Sequence, residues 1–341
     1  MSLLQVRDLH VSFDTPDGIV QAVRGLSFDV DRGKTLAIVG ESGSGKSVAT
    51  QTITGLTRGA KVEGQADFDG IDLLAADEDA LRGIRGARIG MIFQDPLTSL
   101  HPYYRVGWQV VEMIRTHDRS MSRRAARARA AELLTQVGIP YAKDRIDDYP
   151  HQFSGGMRQR VMIAMAMAVG PDLLIADEPT TALDVTVQAQ VMSVMRNLQE
   201  TTGTAIILIT HDLGVVADTA DEIIVMYAGH AMEQASRRDT FYRNHHPYTE
   251  GLLASLPGQA KSGERLTPIP GSPPSTIDPP DRCPFAPRCP YVFDRCWSED
   301  PPLRTVYDDP THHSACWLST DETERMRARE ELAQKNAEVS R

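Results

Sequence analysis

The chain has 341 residues, 41% of them apolar, and carries 46 acidic against 36 basic side chains for a formal net charge of −10. That length allows about two domains around a packed core, and the acidic balance excludes a whole-chain electrostatic attraction to nucleic acid or anionic lipid. The longest apolar stretch, 161–176, is cut by Gly170-Pro171-Asp172 and is too short to span a bilayer as one helix.

The first eight residues show no basic segment leading into an apolar core, so the chain is expected to stay in the cytoplasm. Residues 1–34 alternate apolar and polar positions about a Pro16-Asp17-Gly18 turn and read as short strands of an antiparallel β layer. Phe13 precedes that turn, where an aromatic ring can join the core or stack on a nucleobase.

Next, the apolar run Thr35-Leu36-Ala37-Ile38-Val39 leads into Gly40-Glu41-Ser42-Gly43-Ser44-Gly45-Lys46-Ser47, with Val48, Ala49 and Thr50 continuing as a helix start. A strand–GxxxxGK[ST]–helix pattern turns backbone N–H groups toward one point, where the helix dipole also favours an anion. In it the residues from Ser42 to Val48 cradle phosphates, Lys46 reaches the β/γ-phosphates and the Ser47 hydroxyl ligates Mg²⁺.

The helix is expected to run to about Leu56, with turns and short strands at Val62-Glu63-Gly64 and Phe68-Asp69-Gly70. A further strand over 88–93 ends at Gln94, before Asp95-Pro96, which places a polar side chain at a strand end. Residues 103–152 have helical spacing, and the arginines of 119–129 read as a solvated basic helix face.

Phe153-Ser154-Gly155-Gly156-Met157 then opens a strongly apolar helix, a second anion-attracting helix start. The buried-type strand Leu173-Leu174-Ile175-Ala176 runs into Asp177 and Glu178: the first can bind Mg²⁺ through water and the second can polarise an attacking water. Ala182-Leu183-Asp184 is a loop before a helix over 185–200. A second buried strand, 205–210, ends at His211, on the same edge as Asp177 if the sheet is parallel.

In their order and spacing over residues 1–235 these motifs resemble the ATPase subunit of ATP-binding cassette (ABC) transporters. Residues 40–47 match Walker A, Gln94 the Q-loop, 153–157 the signature motif, Asp177 and Glu178 Walker B and the catalytic glutamate, Ala182-Leu183-Asp184 the D-loop and His211 the switch histidine. Phe153 and Met157 stand where the commonest signature has Leu and Gln, while the serine and glycines remain.

The resemblance implies an α/β P-loop NTPase fold with an antiparallel β subdomain and an α-helical subdomain at about 95–152, within a cassette over 1–238. It implies ATP and Mg²⁺ as cofactors, with Ser47, Gln94 and Asp177 about the metal. Glu178, His211 and Lys46 are the expected catalytic residues. ATP is expected to be shared between two subunits, gripped by the Walker A loop of one and Ser154-Gly155-Gly156 of the other, with Phe13 and Asp184 completing the site.

Beyond residue 239 the composition changes. His246-Pro247-Tyr248 and Pro268-Ile269-Pro270-Gly271-Ser272-Pro273-Pro274 are too proline-rich for continuous helix or inner strand and read as an extended strap. They resemble an extension over 239–320 found in the dipeptide and oligopeptide importers and their nickel and glutathione relatives. A subunit of that kind would drive peptide uptake through two separate permease subunits served by a periplasmic or extracellular peptide-binding protein. It would pair with a paralogous ATPase and sit peripherally on the cytoplasmic face of the membrane, without nucleic acid. The same machinery for nickel, glutathione or another small solute is the alternative, with a soluble non-transport cassette ATPase behind it.

All four cysteines, Cys283, Cys289, Cys296 and Cys316, fall in this region, two of them followed by proline and none forming a CxxC pair. Four such thiolates can hold an iron–sulfur cluster, zinc with His312 or His313 as substitute ligands, or remain buried thiols. The subgroup resemblance implies a [4Fe–4S] cluster. Residues 321–341 read as a polar tail, a solvated helix.

Overall fold

Two 14-residue strands, β1 (Ser2–Thr15) and β2 (Gly18–Asp31), open the computed structural model, which describes residues 2–94, 99–181, 183–256 and 268–339. They are longer than the short strands expected, because their alternating apolar positions, such as Leu4, Val6, Leu9 and Val11, are buried along most of the length. There follow β3 (Thr35–Val39), α1 (Lys46–Ile53), β4 (Lys61–Phe68), β5 (Ile71–Asp72), α2 (Glu78–Ile84) and β6 (Ile89–Ile92). Then come α3 (Val106–His117), α4 (Arg123–Gln136), α5 (Ala142–Arg145), α6 (Gly155–Ala166), β7 (Leu173–Asp177), α7 (Val185–Thr202), β8 (Ala205–Thr210) and α8 (Leu213–Thr219). The rest comprises β9 (Glu222–Tyr227), β10 (His230–Ser236), α9 (Arg237–Tyr242), α10 (Pro247–Ala254), α11 (Asp294–Ser298), β11 (Arg304–Val306), β12 (Asp309–Ser314) and α12 (Glu322–Val339). Asp95, Pro96 and Ala182, named in the motifs above, lie outside the described residues, as do 257–267.

The chain divides into two units. The first comprises Met1–Gln5, Asp29–Thr35 and Asp67–Thr210. Its centre is a parallel run in which β6 pairs with β7 and β7 with β8, Ile89 opposite Leu173 and Asp177 opposite Ile209. β7 and β8 are buried at every residue, which is why they read as unbroken apolar runs rather than alternating ones. Beside them α3 to α6 form a helical layer, closely set: a Cβ at Gly107 on α3 would lie 2.1 Å from Ile146, and one at Gly90 on β6 would lie 2.5 Å from the Ala166 carbonyl at the end of α6. The helices expected over 103–152 are thus present, and the arginines at 119, 123, 124 and 127 are exposed.

The second unit comprises Val6–Phe28, Leu36–Ala66 and His211–Arg341. Here β3 pairs parallel with β9, β9 antiparallel with β10, and β10 with β12, which turns back on β11. Val62-Glu63-Gly64, expected in turns and short strands, lies inside β4. Just past the proline-rich 268–274, the chain adds to β2: the Gln21 N–H donates to the Thr276 carbonyl at 2.8 Å and the Asp278 N–H to the Ile19 carbonyl at 2.9 Å.

The carboxy-terminal helix α12 departs from a purely solvated tail. Arg325, 6% exposed, donates to the His245 carbonyl at 3.0 Å, and Arg329 reaches the Tyr291 hydroxyl at 3.1 Å and pairs with Glu250. These long side chains bury their stems while their heads find fixed acceptors, a docking that a list of Glu, Arg and Ala does not reveal.

Candidate functional site: a phosphate loop and a carboxylate strand end

The phosphate loop belongs to the second unit. β3 is wholly buried and delivers Gly40 against β9, where a Cβ would lie 2.1 Å from the Met226 carbonyl. Gly45 caps α1 at φ +98°, a conformation that only glycine adopts without strain, and a Cβ there would stand 2.2 Å from the Ala22 carbonyl. The backbone therefore turns tightly enough to aim the first N–H groups of α1 into one space. Lys46, 5% exposed, donates to the Gly40 and Glu41 carbonyls, each at 2.8 Å, and to the Ser44 hydroxyl at 3.2 Å. Ser42 and Gly43 are exposed, and Ser47 and Val48 are half-buried at the helix start, with Phe13 half-buried on β1.

The carboxylates belong to the first unit. Asp177 ends β7 at 3% exposure. Glu178 follows at φ +47°, the left-handed region that a non-glycine residue adopts at a cost of order 1–3 kcal/mol and that clusters at functional sites. Its N–H donates to the Ile209 carbonyl at 2.9 Å, and its carboxylate accepts from the Thr181 hydroxyl at 2.8 Å and from the Gln94 amide at 3.0 Å. The structure therefore brings Gln94 to Glu178. His211, next in the chain after β8, is exposed.

Two further motif residues of the first unit are helix caps. The Ser154 side chain accepts from the Met157 N–H at 3.4 Å, and Asp184 from the Val187 N–H at 3.0 Å. Both are exposed. A Cβ at Gly155 would meet nothing within 4 Å, whereas one at Gly156 would lie 2.4 Å from Val187 on α7. One glycine faces open space and the other lets two helices close.

Sequence reasoning missed how the region after 239 meets the phosphate loop. His246 caps α10, its ring accepting from the Tyr248 N–H at 3.0 Å, and Pro247 takes the first helical position, where a missing N–H costs nothing. Tyr248, fully buried, accepts a hydrogen bond from the Glu41 N–H at 3.0 Å. Arg288 forks onto the Glu41 carboxylate at 2.6 and 3.0 Å across 247 residues. Behind them Glu233, with no exposed surface, accepts from the His245 N–H, the His246 N–H at 3.0 Å and the His312 ring at 2.7 Å. The His-Pro-Tyr pattern was a visible signal; the reach of Arg288 left none in the spacing.

Cys283, Cys289, Cys296 and Cys316 all line one narrow cavity with Phe285, Phe293 and other largely apolar neighbours. None is in a disulfide. Burial pushes the Cys283 and Cys316 thiols up to about 12 and raises Cys289 and Cys296 as well, with the neighbouring thiols contributing at Cys283, Cys289 and Cys316. Among the described residues no three His, Cys, Asp or Glu side chains are gathered as ligands of a single metal ion.

Residues 23–181 match the family described as ABC transporter. The dimeric, post-hydrolysis structure of the ATP-binding cassette MJ0796 bound to ADP and Pi superimposes with a TM-score of 0.63 at 30% identity, covering 69% of this chain and 99% of that one. The fold is that of an ABC ATPase, which binds ATP with Mg²⁺.

Residues 232–296 match the family described as the C-terminal region of oligopeptide/dipeptide transporters. The dipeptide transport ATP-binding protein DppD of Bacillus subtilis is 52% identical over 328 residues, 94% of this chain and 96% of that protein. The oligopeptide transport ATP-binding protein OppD of Escherichia coli is 49% identical over 322 residues, 94% of each. The chain belongs to this family of dipeptide and oligopeptide ABC transporter ATP-binding proteins. No helix among its described residues is long and apolar enough to cross a membrane.

Proposed function

We propose that this chain is the ATP-hydrolysing subunit that powers uptake of dipeptides and oligopeptides across the cytoplasmic membrane through separate permease polypeptides. The observation that carries the reading is the extension, matched to peptide transporters and seated on the phosphate loop through Tyr248 and Arg288. Residues 1–238 act as the cassette, with the helical subdomain at about 95–152. Residues 239–320 are the extension and 321–341 the tail.

The roles follow from chemistry. Residues 42–48 and Lys46 hold the phosphates, and Phe13 stacks on the base. Ser154, Gly155 and Asp184, exposed as they are, and Gly156 beside them serve the nucleotide of a second ATPase subunit, a paralogue paired head to tail. Ser47 in the second unit and Gln94 and Asp177 in the first each offer an oxygen donor, the kind a hard cation takes, and Mg²⁺ would neutralise charge on the phosphates. Glu178 draws a proton from the attacking water, its carboxylate oriented by Thr181 and Gln94. His211 contacts the γ-phosphate, and Lys46 offsets the charge that develops there.

The permease would dock on the helical layer. A cleft of about 840 Å³ opens there, lined by Arg105, Trp108, Val111, Arg115, Arg123 and Asp147 among others. Its guanidinium groups and indole suit a protein segment with acidic and aromatic side chains. Two permease subunits and, through them, a peptide-binding protein complete the assembly on the cytoplasmic face.

We propose a [4Fe–4S] cluster for the cysteine cavity: four thiols line one largely apolar space, and a cationic centre would favour the thiolates that burial disfavours. Bound there, it would cross-link the segments carrying Cys283, Cys289, Cys296 and Cys316.

Purification of the tagged chain from membranes tests this reading. Permease subunits and a second ATPase are expected to accompany it, with ATP turnover stimulated by short peptides and their binding protein. Recovery with RNA or DNA, or stimulation by nickel or glutathione and not by peptides, would contradict it.

A further inference from the structure

Every polar group of Glu41, the second residue of the phosphate loop, is engaged. Its carbonyl accepts from Lys46 at 2.8 Å, its N–H donates to the Tyr248 hydroxyl at 3.0 Å, and both carboxylate oxygens meet Arg288. Two of these three anchors come from the extension, more than two hundred residues away in sequence. Arg288 is itself braced: its side chain is 4% exposed, its Nε donates to the Pro270 carbonyl at 2.9 Å and its Nη1 to the Tyr227 hydroxyl at 3.2 Å. Tyr248 is wedged between Tyr227 and Phe285, ring centroids 4.6 and 5.3 Å away.

We propose that Arg288 and Tyr248 are positioning residues of the ATP site, the extension forming a wall that holds the phosphate loop in its nucleotide-binding shape. The inference rests on the reading of residues 40–47 as the ATP phosphate site. A glycine-rich loop that is free before binding must give up backbone entropy when it closes on phosphates. Fixing it beforehand removes that cost and appears as affinity. The fork of a guanidinium on a carboxylate is directional, so it sets the angle of the Glu41 backbone as well as its place, which an ammonium would not. Neither residue adds a group to the reacting atoms. Their loss should therefore act on ATP affinity and leave the chemical step alone.

The test uses the full-length chain for binding of a fluorescent ATP analogue and the assembled transporter for kinetics. Tyr248→Phe deletes only the hydroxyl and keeps the ring in its seat; Arg288→Lys keeps the charge and loses the fork. Each is expected to raise the Kd and the KM for ATP about five- to tenfold, with kcat at saturating ATP within about twofold of wild type. The double variant Glu41→Gln with Arg288→Lys should be little worse than either single change, because the two groups act as one contact. If Arg288→Lys does not fold, Tyr248→Phe decides. Wild-type ATP affinity in a folded Tyr248→Phe protein, or a fall in kcat at unchanged KM, overturns the proposal. Lys46→Ala separates the two readings: if it loses ATP while the extension variants keep it, only the positioning role fails, and if it too binds like wild type, the loop is not the ATP site and both fall.

Discussion

Glu178 sits at φ +47° with its carboxylate held by Thr181 and Gln94, so its conformation is set by neighbours and survives loss of charge. Gly155 and Gly156 differ in the same local way, one open and one pressed on Val187. Gly155→Ala should fold with a melting temperature at or above that of the wild type, since alanine favours helix and its Cβ meets nothing. Gly156→Ala should lose about 1–3 kcal/mol from overpacking. Thermal unfolding of the two proteins checks the contrast, and equal melting temperatures would contradict it. Gly45→Ala is predicted to abolish ATP binding, because its Cβ would displace the Ala22 carbonyl; a titration with fluorescent ATP reads the loss. At this scale the sequence was informative wherever chemistry is local. The helix start at Ser154, the strand-end pair Asp177-Glu178 and the loop glycines were legible, because each is fixed by near neighbours in the chain. The bond from Gln94 to Glu178 was not, since it joins residues 84 apart.

Among the elements, β3, β7 and β8 could be read directly because strands buried on both faces write themselves as apolar runs. The seating of α12 and of the His-Pro-Tyr helix α10 could not be, because it depends on single long side chains and on one buried carboxylate on β10. Burial alone would raise Glu233, but hydrogen bonds from the His312 ring and the His245 N–H bring it below the usual glutamate range. Burial holds the His245 ring down to about 4 and His246 to about 3. Both rings are therefore neutral in the folded protein at pH 5, whereas unfolded imidazoles take up a proton below about pH 6.5. The unfolded chain binds more protons between those values, so stability is complete above about pH 6.5 and falls as the pH drops toward 4. For His245 alone the loss at pH 5 is about 2 kcal/mol. Thermal unfolding followed from pH 7.5 to pH 5 should show the midpoint descending; a level midpoint would contradict the assignment.

For the molecule as a whole, the consequence is that the phosphate loop and the cysteine cavity belong to one unit and are joined through the short turn Ala286–Arg288. Cys289→Ser is predicted to weaken ATP binding as well as lower the melting temperature, because Arg288 precedes Cys289 directly. Isothermal titration with ATP tests this, and an unchanged Kd would contradict it. The account as a whole rests on ATP hydrolysis by this chain being what drives peptide movement. The most direct measurement reconstitutes the complete transporter in vesicles and follows ATP turnover and peptide uptake together, with wild-type chain and with Glu178→Gln in this subunit alone. The account predicts that the substitution leaves ATP binding within about twofold and lowers both turnover and uptake by at least about 100-fold. Uptake that continues at the wild-type rate with Glu178→Gln in place would contradict it.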